Sequence, residues 1–167
     1  MGKGLKATLI VVFLLSFAFG VEIPVYAIVQ GSVEKVFVKV GDFVKKGSPI
    51  VKVSSSLYDA QIKSLQGKLK ELELKRWKAQ RDYERYKELY ERSLLSETEL
   101  EDRKLALEIL SAQIEEVKGK IEELTVLRDY TLVKSPVEGR VVKILVEEGS
   151  FVNGSLTPQL IAVIEKR

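Results

Sequence analysis

The chain has 167 residues, no cysteine, no histidine and a formal charge of +3. Without cysteine there is neither a disulfide framework nor a thiolate metal site, and without histidine a Ser-His-Asp triad and the common zinc sites are excluded. No motif supports lysine or carboxylate catalysis, so the composition speaks against an enzyme and names no cofactor.

Residues 1–20 read as a secretory signal. Lys3 and Lys6 form a positive n-region, Ala7 to Phe19 an apolar h-region, and Ala18-Phe19-Gly20 offers small residues at a cleavage point. Val25-Tyr26-Ala27 is a second candidate point, and an uncleaved anchor is the alternative. The apolar run is shorter than the ~20 residues of a spanning helix. No cysteine follows it, which excludes a bacterial lipid anchor. Removal of residues 1–20 takes away two lysines and leaves a charge of +1. That balance gives no drive toward nucleic acid.

Residues 21–56 read as short strands. Val33, Val36, Phe37, Val38 and Val40 are β-branched or aromatic, and Gly31, Gly41-Asp42 and Gly47-Ser48-Pro49 supply turns. Gly41 and Gly149 sit where a tight turn calls for positive φ.

From residue 57 to 130 the apolar period changes from two to three and a half. The first seam is Tyr58, Ile62, Leu65, Leu69, Leu72, Arg76, Ala79, Tyr83, Tyr86, Tyr90 and Ser93. The second is Leu100, Arg103, Leu107, Leu110, Ile114, Val117, Ile121 and Leu124. Alternating gaps of three and four, sustained this long and flanked by Lys and Glu, predict two coiled-coil helices. The break lies at residues 93–96, where Ser96 and Glu99 form a capping box for the second helix. Arms of similar length fold into a hairpin that projects roughly 50 Å. Gly67 and Gly119 fall at comparable distances from the turn, either at a close approach or as tolerated defects.

The second helix is expected to end near Asp129. Lys134-Ser135-Pro136 breaks it, and Thr157 to Ile164 forms the closing strand within residues 131–167. This last segment repeats the first. Gly31 matches Gly139, Val33 matches Val141, Gly41 matches Gly149, and Phe43-Val44 matches Phe151-Val152; one deletion brings Gly47 onto Gly154. Neither half carries enough apolar surface to fold alone, so together they form one small sandwich of about 60 residues. The fold class is α+β, a β-sandwich split by an inserted antiparallel coiled-coil hairpin.

Two half-motifs carry a resemblance. Gly31-x-Val33 through Gly41-Asp42-x-Val44-x-Lys46-Gly47, and Ser135-Pro136-x-x-Gly139-x-Val141 through Gly149-x-x-Val152, look like paired half-lipoyl (biotinyl-like) motifs. Flanking a helical hairpin, they resemble the membrane fusion protein, or HlyD-like periplasmic adaptor, family. The resemblance implies a split lipoyl-like sandwich in a periplasmic adaptor for efflux or type I-like secretion. Such an adaptor links an inner-membrane transporter of ABC or RND type to a TolC-type outer-membrane channel. Adaptors that dock on such channels carry Arg, a Leu four residues on and a Ser seven after that; Arg85, Leu89 and Ser96 have this spacing at the expected tip. Arg85 and Leu89 share a helical face, being i and i+4. Neither is a seam residue, so Leu89 is expected to point away from the hairpin core.

The resemblance also implies a homo-oligomer, trimers of dimers or hexamers. Leu74, Trp77, Leu105 and Ile109 lie off the seam and are candidates for contacts between copies. Family members usually continue into β-barrel and membrane-proximal domains that meet the transporter; these 167 residues match the parts up to the second lipoyl half. A biotin or lipoate carrier is the competing class, but it needs a modifiable lysine in Met-Lys-Met or Asp-Lys-Ala, and neither occurs. A purely structural coiled-coil spacer would differ in binding no channel.

Overall fold

The computed structural model describes residues 20–166. The expected n-region and apolar core, residues 1–19, lie outside the described residues. Elements follow in the order β1 (Val21–Ala27), β2 (Gln30–Val36), β3 (Phe43–Val44), β4 (Pro49–Val53), α1 (Ser56–Glu91), α2 (Glu97–Asp129), β5 (Leu132–Lys134), β6 (Gly139–Ile144), β7 (Phe151–Asn153) and β8 (Gln159–Lys166). The architecture is a two-sheet sandwich with a long helical hairpin inserted between β4 and β5.

The sheets run β1-β8-β6-β3 and β5-β4-β2-β7, with all pairings antiparallel. Each sheet takes two strands from each half of the repeat. Exchanging β1 with β5, β2 with β6, β3 with β7 and β4 with β8 turns one order into the other. The chain thus folds as an interlocked pseudo-two-fold pair: each half supplies the central pair of one sheet and the edge strands of the other, so either half alone would leave its two edge strands without partners. The crossovers repeat the symmetry. Gly41 N–H donates to Val141 O at 2.8 Å, and Gly149 N–H donates to Val33 O at 2.8 Å. Their φ angles are 99° and 86°, in the region that glycine enters without steric cost.

Alternation along each strand places one face inward. Val25, Val29, Val33, Val44, Ile50, Val53, Val141, Val152, Ile161 and Ile164 form one buried cluster between the sheets. Close packing also fixes Gly139. A Cβ there would lie 2.3 Å from the Glu165 carbonyl oxygen, and at its repeat mate Gly31 a Cβ would lie 2.9 Å from the Ser54 carbonyl oxygen.

Two strand expectations need correction. Phe37 and Val40 lie outside β2 and are exposed, because there the chain leaves one sheet to cross to the other; only Val38 packs against the core. The closing strand is displaced to Gln159–Lys166, since its register with β1 continues to Val21 opposite Lys166.

The helices pack through Leu72, Ile114 and Val117, with Leu65, Leu69, Leu110 and Ile121 around them. Polar seam residues find partners across the hairpin: Arg76 Nε donates to Ser111 Oγ at 3.0 Å. A Cβ on Gly67 or Gly119 would meet nothing within 4 Å, so both are tolerated defects and not a close approach.

The arm is anchored at its base. Tyr58 is buried in the sandwich core, and its hydroxyl accepts the Gln30 N–H at 3.1 Å. Leu124 and Leu127 of α2 pack against the same core. Thr131, wholly buried where α2 turns into β5, donates to Arg128 O and accepts from Lys52 Nζ.

Candidate docking tip

The reversal occupies Arg92 to Ser96, and both helix ends that meet there are closed by hydrogen bonds. At the end of α1, Ser93 N–H donates to Tyr90 O at 2.8 Å and Leu94 N–H donates to Leu89 O at 3.0 Å. This pair of bonds is the Schellman pattern, with Ser93 as the left-handed residue at φ 60°. Glycine normally takes that position, so the motif is disguised in Glu91-Arg92-Ser93-Leu94.

At the start of α2, Ser96 Oγ accepts the Glu99 N–H at 3.3 Å, and Glu99 Oε2 accepts the Ser96 N–H at 3.2 Å. The capping box is therefore complete. Hydrogen bonds from the Ser96 hydroxyl and backbone hold the Glu99 carboxyl below its ordinary pKa. Glu97 and Glu99 also place negative charge at the positive end of the helix dipole.

The three tip residues have different surroundings. Arg85 is exposed and pairs with Asp82, one turn back, at 3.6 Å. Ser96 is exposed at the cap. Leu89 is half-buried, more covered than its place off the seam leads one to expect. Leu89 is the third residue before the cap of the Schellman turn, and its carbonyl accepts the Leu94 N–H where the chain folds back over the helix end. Tyr90, expected on the seam, is instead 39% exposed.

The sequence reading missed two features of the tip. Leu94 stands at the apex with 69% of its surface exposed. One level below, the Arg103 guanidinium stacks 4.4 Å over the Tyr86 ring and donates to its hydroxyl at 3.1 Å. Both are seam residues, so spacing placed them together, but nothing in the spacing announced a clamp between the helices.

A model of the RND MFP barrel-sandwich hybrid domain matches residues 21–164, the span of both sheets and the hairpin. The chain belongs to the membrane fusion protein family. Members of this family are non-enzymatic periplasmic adaptors of efflux systems, and the split sandwich with its inserted hairpin is the family's architecture. Among curated relatives, the macrolide export protein MacA of Yersinia pestis is 26% identical over 145 residues, covering 78% of this chain and 39% of its own length. The multidrug resistance protein MdtA of Yersinia pestis (strain Pestoides F) is 26% identical over 119 residues, covering 71% of this chain and 27% of its own. The chain thus spans well under half the length of either relative. Among solved structures, ZneB of Cupriavidus metallidurans superposes with a TM-score of 0.63 at 18% identity, over 87% of this chain and 60% of its own. That last likeness is one of fold. No helix among the described residues is long and apolar enough to cross a membrane.

Proposed function

We propose that this chain docks its hairpin tip onto a TolC-type outer-membrane channel and, with an inner-membrane transporter of ABC or RND type, completes an envelope-spanning export path. The observation that carries this reading is the tip itself: a reversal closed at both helix ends, exposing Leu94, Arg85 and Ser96 around a half-buried Leu89. A rigid apex with one bulky apolar group and one fork-shaped cation suits end-to-end contact with another helical protein. Membership in an adaptor family supports the same reading. The named roles of MacA and MdtA in macrolide export and multidrug resistance favour efflux as the path served.

In this reading the chain lies in the periplasm, starts near Val21 after cleavage and works as a homo-oligomer. Leu74 and Trp77 on α1, with Leu105 and Ile109 on α2, are exposed along the arm and available to neighbouring arms. N-terminal sequencing of fractionated cells checks the processing; intact Met1 in the membrane fraction would show an anchor instead.

The docking test is site-specific crosslinking in envelopes from a position beside Arg85. Capture of an outer-membrane channel, lost in Arg85→Asp, is expected. A structural spacer would capture none, and a photoprobe beside Arg85 that never reaches the channel overturns the docking assignment.

A further inference from the structure

The two crossovers that make the sandwich symmetrical in backbone are opposite in charge. The edge strands β3 and β7 are repeat mates, and each carries the dipeptide Phe-Val. In each the valine is buried and the phenylalanine stands outward, Phe43 at 62% and Phe151 at 67% exposure. Two bulky aromatics at equivalent positions of two sheet edges are a pair of matched apolar knobs.

Their surroundings differ. The β3 strand, its flanking turns and its register partners on β6 present Lys39, Lys45, Lys46 and Arg140 against one carboxylate, Asp42. Arg140 lies directly opposite Phe43 and donates to Gly41 O at 2.9 Å, which holds its cation over the turn. The same frame around β7 presents Glu147 and Glu148 and no cation, because Ser32 takes the place of Arg140 and Asn153 that of Lys45. Lys39 and Glu147 are equivalent residues, each two before the turn glycine.

We infer that the β3 edge of one copy packs against the β7 edge of another, Phe43 beside Phe151, with Lys39 and its neighbouring cations facing Glu147. The occupant is a second copy because both complementary surfaces belong to the same chain. A contact between two different patches is heterologous, so copies can continue into a ring. This inference rests on the self-association proposed above and adds a contact that lies on the sandwich and not on the arm.

The absence of cysteine from the chain gives a clean test. Full-length copies carrying Lys39→Cys with one tag and Glu147→Cys with another are co-expressed and oxidised in native envelopes. A disulfide-linked heterodimer carrying both tags is expected, at least tenfold above either homodimer. Lys39→Glu and Glu147→Lys should each weaken association about tenfold, and the double variant Lys39→Glu/Glu147→Lys should regain it, since reversed charges then face each other again. Phe43→Ser and Phe151→Ser should weaken association without lowering the melting temperature. Homodimers in place of the heterodimer, or a double variant no better than its parents, overturn the contact while self-association through the arm stands. A strictly monomeric chain overturns both.

Discussion

Ser93 is the one non-glycine residue with positive φ among those described. A left-handed conformation costs an ordinary residue roughly 1–2 kcal/mol, a cost that glycine escapes. Ser93→Gly is therefore expected to stabilise the hairpin by about 1 kcal/mol, and Ser93→Val to destabilise it by at least as much; chemical denaturation midpoints would check both. Leu89 requires more care than its exposed neighbours. Half-buried at the turn, it should cost about 1–2 kcal/mol as Leu89→Ala, below the roughly 2–5 kcal/mol of a fully buried leucine. Arg85→Ala should change stability by less than ~0.5 kcal/mol, as surface ion pairs of this kind contribute little. A binding defect in Arg85→Ala thus reports on docking, whereas one in Leu89→Ala mixes docking with the folding of the tip. A melting temperature unmoved by Leu89→Ala would contradict this placement.

At the level of the helices, seam spacing reached most of the arm because the coiled-coil period holds between Ile62 and Ile121. It fails at the end of α1, where the heptad frame puts Tyr90 inward and Leu89 outward. A heptad frame assumes that helix continues; within one turn of its terminus the reversal decides burial, and Ser93 in place of glycine left that turn unmarked. The capping box was legible since Ser96 and Glu99 are three residues apart, a purely local signal. Its pH dependence follows. The Glu99 carboxyl is held below its ordinary pKa by Ser96, and Glu71 and Glu116 are lowered by hydrogen bonds from Lys75 and Lys120 respectively. Groups with depressed folded-state pKa values contribute stability that is present above their unfolded pKa and is lost as pH falls through the folded one. The hairpin should lose melting temperature on acidification from roughly pH 5 to pH 3. Glu99→Gln should flatten that slope, and an unchanged acid profile would remove the cap from the account. Leu107→Ala on the seam should destabilise without touching the tip, and Gly67→Ala and Gly119→Ala should each stabilise by about 1 kcal/mol, because both sites are open.

For the molecule as a whole, the repeat disclosed that two halves make one sandwich, but not how they interlock. That each half supplies strands to both sheets follows from the crossovers at Gly41 and Gly149, and the spacing of glycines alone does not say which sheet receives the next strand. The close approach at Gly139 belongs to this scale, since it joins the second half to its own last strand across the centre of a sheet. Gly139→Ala should cost about 1–3 kcal/mol or more, because the clash is with backbone and no side chain can swing away. Gly149→Ala meets no atom within 4 Å and should suffer only from its φ. The same thermal scans separate the two.

The hairpin leaves from β4 and returns to β5, and those two strands are neighbours in one sheet, with Val51 opposite Val133 and Lys52 opposite Leu132. Beyond the base held by Tyr58, Leu124 and Leu127, the sandwich therefore senses only that the two ends of the arm arrive side by side. Whatever lies between them is a ruler whose graduations can be added or removed. Excising seven residues from each helix at one level, 73–79 with 109–115, takes the Arg76–Ser111 pair out together and shortens the reach by about 10 Å. An adaptor of this design can be fitted to an envelope of different depth by paired heptads alone, and its two ends can evolve without consulting one another.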